Sequence, residues 1–264
     1  MNKILIVNDE IIEQQTDNTL KITTTSKDDF ISVNAIKIKV IANTNLTVEY
    51  TSTKEAKLEI YFNIEPGVTC NLYENKISGQ YKLSYKYYLN EKSRLNLFKI
   101  NDTTQIKELL IFNLNGKDAK LNYTLKTISK SDEKYDLMVY HNQPNTESLI
   151  INNGVNIKNG TLKFHVSGFV PNGHKGCILN QNNQIINLTN NFCQIKPNLF
   201  IDENDVIANH SAHIGKCNDQ EMFYLMTRGL SAKKAQNLLI KGFLMKGLNN
   251  YEKEMEKIIS KYWR

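Results

Sequence analysis

KELLIFNLNGKDAKLNYTLKTIS, residues 107–129, is the stretch whose reading decides the fold. Leu121, Tyr123 and Leu125 alternate with Asn122, Thr124 and Lys126, and Leu110, Phe112 and Leu114 keep the same spacing just upstream. A period of two, rich in aromatic and aliphatic side chains, marks a strand with one buried face. Asn115–Gly116 breaks the run between the two halves, as turn chemistry requires. The pattern spreads in both directions, through NTLKITT (18–24), NAIKIKVIA (34–42), NLTVEYTS (45–52), AKLEIYFNI (56–64), YKLSYKYYLN (81–90), SRLNLFKIN (93–101) and TLKFHVSG (161–168). Breaks recur roughly every ten to twelve residues, the spacing of an all-β chain.

Nearly every strand presents one apolar and one polar face, which suits two packed sheets and suits stacked solenoid coils equally well. Hairpin dipeptides are few, which favours coils joined by bends. The asparagine-rich stretches 151–160 and 179–191 are expected at the corners, where asparagine tolerates a left-handed backbone and can bond along a stack. After Gly215 the period changes. Met222, Phe223, Leu225 and Met226 describe a short helix with Asp219 and Glu221 at its start and Gly229 as its terminator. Ser231 is the expected N-cap of a second helix, with Ala235, Leu238, Leu239, Gly242 and Phe243 as its apolar stripe. A third helix carries Met255, Ile258, Ile259 and Tyr262 or Trp263. The division expected is a β body over 1–216 and a helical domain over 217–264.

Composition narrows the function classes. A hydrophobic share of 41% and a charged share of 23% belong to an ordered chain, not a disordered one. The net charge of +6 permits an acidic partner, but the lysines are scattered, without the basic block that grips nucleic acid. No apolar run approaches a membrane span, and the opening MNKILIVNDEII is too soon interrupted for a signal peptide. Cys70, Cys177, Cys193 and Cys217 follow no disulfide spacing, so reduced thiols and a cytoplasmic location are expected. No GxxxxGK[ST], GxSxG, HExxH or CxxC occurs, so the chain has no P-loop of its own and lacks the familiar local signatures of hydrolases, nucleotide enzymes and zinc modules.

What remains is HxxHxxxC, formed by His210, His213 and Cys217. All three are possible iron or zinc ligands, yet residues three apart on a strand face opposite ways, so one local three-ligand site is poorly spaced. His141, His165 and His174 stand alone.

The tail goes further than that. Asp205, Val206, His210, Ala212 and Gly215, then Phe223, Tyr224, Leu225, Arg228, Gly229, Leu230, Ser231 and Ala235, then Leu239, Gly242 and Phe243, fall in one long pattern. It resembles the C-terminal signature of the SufB/SufD family of iron–sulfur cluster assembly proteins. Upstream, His141 with Asn145–Ser148, Phe164, Asn172–Gly173, Gln181, Asn183, Pro197 and Leu199 follow the family more thinly. His213 replaces a threonine of the pattern, and the helical region that precedes the β body in relatives has no counterpart in the opening strands. Ile201 and Ser211 stand at the positions read against the SufB cysteine and glutamate, so the resemblance is closer to SufD.

The resemblance implies a mainly β fold, a right-handed parallel β-helix followed by a small helical C-terminal domain. It implies a scaffold role without catalysis, in which His210 is a ligand offered to a transient iron–sulfur cluster where two subunits meet, with His213 and Cys217 as lesser candidates. It implies a SufC-like ABC ATPase as the source of ATP hydrolysis, docked through Phe223, Tyr224, Leu225, Arg228, Leu239 and Phe243. A SufB-like paralogue or a second copy of the chain would complete the pair. Flavin use is left open. A carbohydrate-active β-helix and a purely structural solenoid are the competing readings.

Overall fold

The computed structural model describes residues 4–7, 19–24, 34–102, 105–248 and 251–263. The alternating segments form β1 (Ile4–Val7), β2 (Thr19–Thr24), β3 (Asn34–Val40), β4 (Thr44–Ile64), β5 (Thr69–Leu89), β6 (Arg94–Asn101) and β7 (Ile106–Leu114). They continue as β8 (Lys120–Ser129), β9 (Glu133–His141), β10 (Glu147–Asn156), β11 (Leu162–Val170), β12 (Cys177–Asn187), β13 (Cys193–Ile201) and β14 (Val206–Gly215). From β2 onward every pairing is parallel, and each strand bonds to the strand two further along the chain once past β5. Such a pattern is a solenoid, because each coil contributes one strand to each of two facing sheets.

Sheet I stacks β6, β8, β10, β12 and β14, and sheet II stacks β7, β9, β11 and β13. β4 and β5, each 21 residues long, bend through a corner without losing strand geometry. The first half of β5 therefore pairs with β6 and its second half with β7. The antiparallel β1–β3 pair is the exception to the parallel rule. A parallel pair has evenly spaced ladder bonds and needs a long return path, which the opposite strand of each coil supplies.

The asparagine-rich stretches are corrected here. Asn152, Asn153 and Asn156 lie within β10, and Asn180 to Asn187 lie within β12, so these segments are largely strand and not corner. Stacking does occur, since Asn152 Nδ2 donates to Asn183 Oδ1 at 2.7 Å and Asn71, Asn96 and Asn122 each donate to the asparagine one coil before. An amide side chain can donate and accept at once, so a column of them satisfies itself at the strand repeat of about 4.8 Å. Left-handed non-glycine residues sit instead at Lys92, Gln105, Asp118 and Asn145.

Between the sheets lies a continuous apolar core in which Phe62, Tyr87 and Phe112 stack at 5.0 and 4.8 Å. Each fully buried aliphatic or aromatic side chain there contributes about 1.5–3 kcal/mol. One stretch of this interior is ionic. Lys99 Nζ lies 2.9 Å from Glu74 and 2.8 Å from Glu108, Lys76 pairs with Glu108, and all four side chains are fully buried. Burial acts to raise the Glu108 carboxyl, but the Lys76 and Lys99 ammoniums outweigh it and hold its pKa below the usual value. Tyr87 donates to Glu74 at 3.0 Å, and Lys99 rides over the Tyr85 ring at 4.2 Å.

The tail forms α1 (Asp219–Thr227), α2 (Ala232–Met245) and α3 (Glu252–Tyr262). Asn218 caps α1 by accepting from Gln220 and Glu221, and Ser231 caps α2 by accepting from the Lys234 N–H. At Gly229, with φ of 92°, the Leu230 N–H reaches back to Leu225 and the Gly229 N–H to Met226, which closes α1. α2 and α3 lie along the outer face of sheet I. Ile240, Leu244, Leu248, Met255, Ile258 and Ile259 bury against Phe98, Ile100, Ile128 and Val155. Tyr251 stacks on Tyr73 at 4.7 Å and on Phe98 at 4.5 Å.

The core-facing stripe of α2 is thus Ala235, Ile240 and Leu244. Leu238 is exposed, Leu239 and Phe243 are half-buried, and Gly242 faces solvent, so the stripe read from the sequence is rotated from the observed one. α2 carries apolar residues around more than half its girth, and periodicity cannot say which side a sheet will take. No described helix is long and apolar enough to cross a membrane.

Candidate functional site

His210 occupies β14, the terminal strand of sheet I, in register with Gln181 of β12. Gln181, Asn183 and Leu179 point into the solenoid, and period-two geometry puts His210, Ala212 and Ala208 on that same inward side. Opposite them, Ile195, Pro197, Leu199 and Ile201 occupy the inward positions of β13, the terminal strand of sheet II. Among the described residues no further strand pairs with β13 or β14. Residues that one coil earlier are sealed are therefore half-buried or exposed here, and His210 is exposed. Leu199, Ile201, Val206 and Ala208 pack on Cys177 and Leu179 below, giving the open end an apolar floor.

The outer face of sheet II approaches the same end with a stack of rings. Tyr140 and Phe169 lie 4.6 Å apart, and Phe169 and Phe200 lie 4.8 Å apart, all nearly parallel. Phe200 terminates the stack and is 52% exposed. Beneath His210, Gln181 is buried and donates through Nε2 to the Asn198 carbonyl at 3.4 Å, while its Oε1 has no partner. A buried amide oxygen without a donor is costly, about 1–3 kcal/mol, and marks a place where a donor is wanted.

His213 and Cys217 do not join His210. His213 aligns with Gln184 on the outward side of the strand, and its ring covers Gly215, where an added Cβ would meet Nε2 at 2.9 Å. Cys217 is half-buried in the core under the helices, and burial raises its thiol pKa. Among the described residues no three His, Cys, Asp or Glu side chains converge as a metal site. The remaining cysteines are free thiols. Cys70 is buried and its pKa is pushed up to about 12 by that burial, and Cys177 lies one coil below the open end with Thr146 Oγ1 at 3.3 Å.

His141 is a packed histidine. Its Nδ1 meets Thr146 Oγ1 at 2.8 Å and its Nε2 meets Ser148 Oγ at 2.9 Å, while burial lowers its pKa to about 4. His141, Thr146 and Ser148 therefore belong to one buried corner, and the ring stays neutral at physiological pH. His165 is held between Asp136 and Gln194, each at 2.9 Å, and His174 reaches the Pro171 carbonyl at 3.2 Å. The interior carboxylates Glu74 and Glu108 are sealed and paired with lysines, so they offer nothing to a carbohydrate substrate.

α1 is the second unusual surface. None of its residues is buried, and Phe223 and Tyr224 are 70% and 57% exposed. Arg228 lies 5.3 Å from the Tyr224 ring centroid, which sets its guanidinium over that ring. Leu225 is half-buried, as are Leu239 and Phe243 of α2, with Phe243 joining the core under the helices. The six expected docking residues thus divide into an exposed set, Phe223, Tyr224 and Arg228, and a half-buried set, Leu225, Leu239 and Phe243. Gln181 and Phe200 had no functional assignment from the sequence. Their placement at the open end arises from register across coils, which no local pattern signals.

Comparison with known proteins agrees with this architecture. The family model described as SUF system FeS cluster assembly, SufBD core domain, matches residues 21–243. The iron-sulfur cluster assembly protein SufD of Bacillus subtilis is 29% identical over 118 residues, 44% of this chain and 27% of that protein. An iron-sulfur cluster assembly SufBD family protein of Pyrococcus horikoshii is 49% identical over 45 residues, 17% of this chain and 10% of its own length. SufB of Bacillus subtilis is 27% identical over 108 residues, 39% of this chain and 23% of that protein. In each case the match spans less than a third of the relative.

Proposed function

Because the chain belongs to the SufB/SufD family, with the SufBD core over residues 21–243, we propose that it is a non-ATPase scaffold subunit in iron–sulfur cluster assembly. The observation that carries this reading is the open coil with His210 on its inward, exposed side. Unpaired parallel edges over an apolar floor form a ready template for another chain. A second solenoid, from a SufB-like paralogue or a second copy, closes that end and stacks a flat side chain on Phe200.

His210 then stands at the seam and supplies one imidazole to the nascent cluster, which is cargo and not a resident group. Iron accepts imidazole, and a seam site asks only one or two ligands of each chain. Gln181 supports the assignment, because its free buried Oε1 can accept from one ring N–H and so fix the tautomer that turns the other nitrogen outward. His213 and Cys217 serve as ligands only if the partner's surface reorganises the strip.

ATP enters through a SufC-like ABC ATPase seated on α1, with Phe223, Tyr224 and Arg228 as contacts and Leu225, Leu239 and Phe243 holding the helix behind them. Exposed aromatics beside an arginine are typical of residues that dominate interface energy. Free thiols throughout suit a reducing compartment such as the cytoplasm. Anaerobic reconstitution with ferrous iron and sulfide, alone and with a SufB-like paralogue, tests the reading by visible absorption and sedimentation. The expected result is a two-chain species whose cluster absorbance falls severalfold in His210→Ala. A chain that stays single with either partner, or a variant with undiminished absorbance, overturns it.

A further inference from the structure

Five lysines that are scattered in sequence become neighbours in space. Lys57 aligns with Lys82, Lys82 with Lys107, Lys107 with Lys134 and Lys134 with Lys163, one per coil on the outer face of sheet II. At the inter-strand spacing of about 4.8 Å the column runs for roughly 19 Å along the solenoid. Like charges in register on adjacent strands oppose each other, and five in a row is a cost that nothing in the fold itself requires. Lys134 is relieved by Asp136 at 2.7 Å and Lys163 sits over the Phe192 ring at 5.7 Å. Lys82 and Lys107, in the middle, are exposed and make no ion pair among the described residues.

Beside the column runs a groove of about 380 Å³ whose second wall is Glu59, Ser84, Leu109 and Asp136. Its two walls differ in character. One is a line of ammoniums on aliphatic stems; the other is mixed, with Glu59 tied to Tyr61 at 2.9 Å and Asp136 tied to His165 at 2.9 Å. A nucleic-acid strand fits poorly, since carboxylates on the second wall repel a second row of phosphates and the Phe192 ring lies at the Lys163 end of the column, not between successive lysines where bases could stack. An extended polypeptide with acids at alternate positions fits better. It sets carboxylates about 6.6 Å apart on one edge, within reach of the flexible lysines, and turns neutral side chains toward Ser84 and Leu109.

We propose that this column and groove form a docking site for an extended, acidic polypeptide segment of a partner protein, lying along the solenoid axis across the outer face of sheet II. The site is independent of the open end and of α1. Recognition by it is electrostatic and is weakened by salt.

The test is fluorescence anisotropy with a fluorescein-labelled peptide of about eight residues alternating glutamate with serine, long enough to span the column. An oligouridylate of equal charge is measured beside it. Three proteins are compared: the wild type, Lys82→Gln/Lys107→Gln, and the charge-matched Lys233→Gln/Lys253→Gln. All substitutions are on exposed side chains, and circular dichroism checks that each variant is folded. The expected result is salt-sensitive peptide binding that weakens at least tenfold in the column variant and less than twofold in the control. Equal losses in both variants assign the binding to net charge and overturn the site, as does the absence of peptide binding at low salt. Oligouridylate binding tighter than the peptide, with the same dependence on Lys82 and Lys107, overturns the choice of a polypeptide.

Discussion

Lys99 is the residue whose removal the fold should tolerate least. It stands between two carboxylates, 2.9 Å from Glu74 and 2.8 Å from Glu108, with no exposed atom on any of the three side chains. Lys99→Met keeps the length and apolar character of the stem and deletes the charge. Glu108 keeps its direct Lys76 partner, whereas Glu74 keeps the Tyr87 hydroxyl at 3.0 Å and only the longer-range attraction of Lys76. Breaking a buried pair from one side costs about 3–5 kcal/mol, because the surviving ion stays desolvated and uncompensated. For a chain of this size that lowers the melting midpoint by roughly 6–20 °C.

The deficit has a defined pH dependence. Lys76 and Lys99 hold the buried Glu108 carboxyl below its usual pKa, so its contribution to wild-type stability is present above the unfolded pKa and is lost as pH falls through the folded one. Lys99→Met removes one of those two ammoniums and is therefore expected to be closer to wild type at pH 3 than at pH 7. Replacing all four ions by Glu74→Leu, Lys76→Met, Lys99→Met and Glu108→Leu removes the desolvation penalty and recovers part of the loss. Thermal melts followed by circular dichroism at both pH values decide the matter. A single-variant shift below about 2 °C, or a deficit independent of pH, refutes the electrostatic account of this core.

Other outcomes are equally definite. Burial raises the Glu133 carboxyl to about 7, so wild-type stability falls as pH rises through that value, and Glu133→Gln flattens the melting midpoint between pH 5 and 8. Gly229→Ala places a side chain at φ of 92° with open space around it, and strain alone should cost about 1 kcal/mol in urea unfolding. Tyr251→Ala removes a ring stacked on both Tyr73 and Phe98; a loss of about 2–3 kcal/mol is expected, with hydrogen exchange in α3 rising ahead of exchange in the strands. Phe223→Ser with Tyr224→Ser leaves the melt nearly unchanged because both rings are exposed, while the docking proposed for α1 predicts that capture of an added ABC ATPase, measured by pull-down, falls in this variant.

Much of the local structure was legible in the residues. The alternation at 107–129 became β7 and β8, Ser231 became a side-chain cap, and Gly229 closed α1 with a left-handed backbone. These features depend on neighbours within a few positions, where steric and hydrogen-bond rules act on the chain directly. The misreadings have a common cause. Asparagines at 152–156 and 180–187 look like turn residues when taken singly, yet they are strand residues that bond to their equivalents in the next coil. The face that α2 buries depended on the shape of sheet I. His210 and Cys217 are close in sequence, but a strand pleat and the start of a helix send them to different surroundings.

By itself the sequence determined the strand period, the change to helices after Gly215, the helix caps and the family signature of the tail. Only the tertiary structure decided which residues stand side by side across coils. It set Lys57, Lys82, Lys107, Lys134 and Lys163 in one column, Lys99 between Glu74 and Glu108, and His210 above Gln181. The reason is geometric. In a parallel solenoid a residue's nearest neighbours along the stack lie a whole coil away in the chain, and corners of unequal length keep that interval from showing as a repeat.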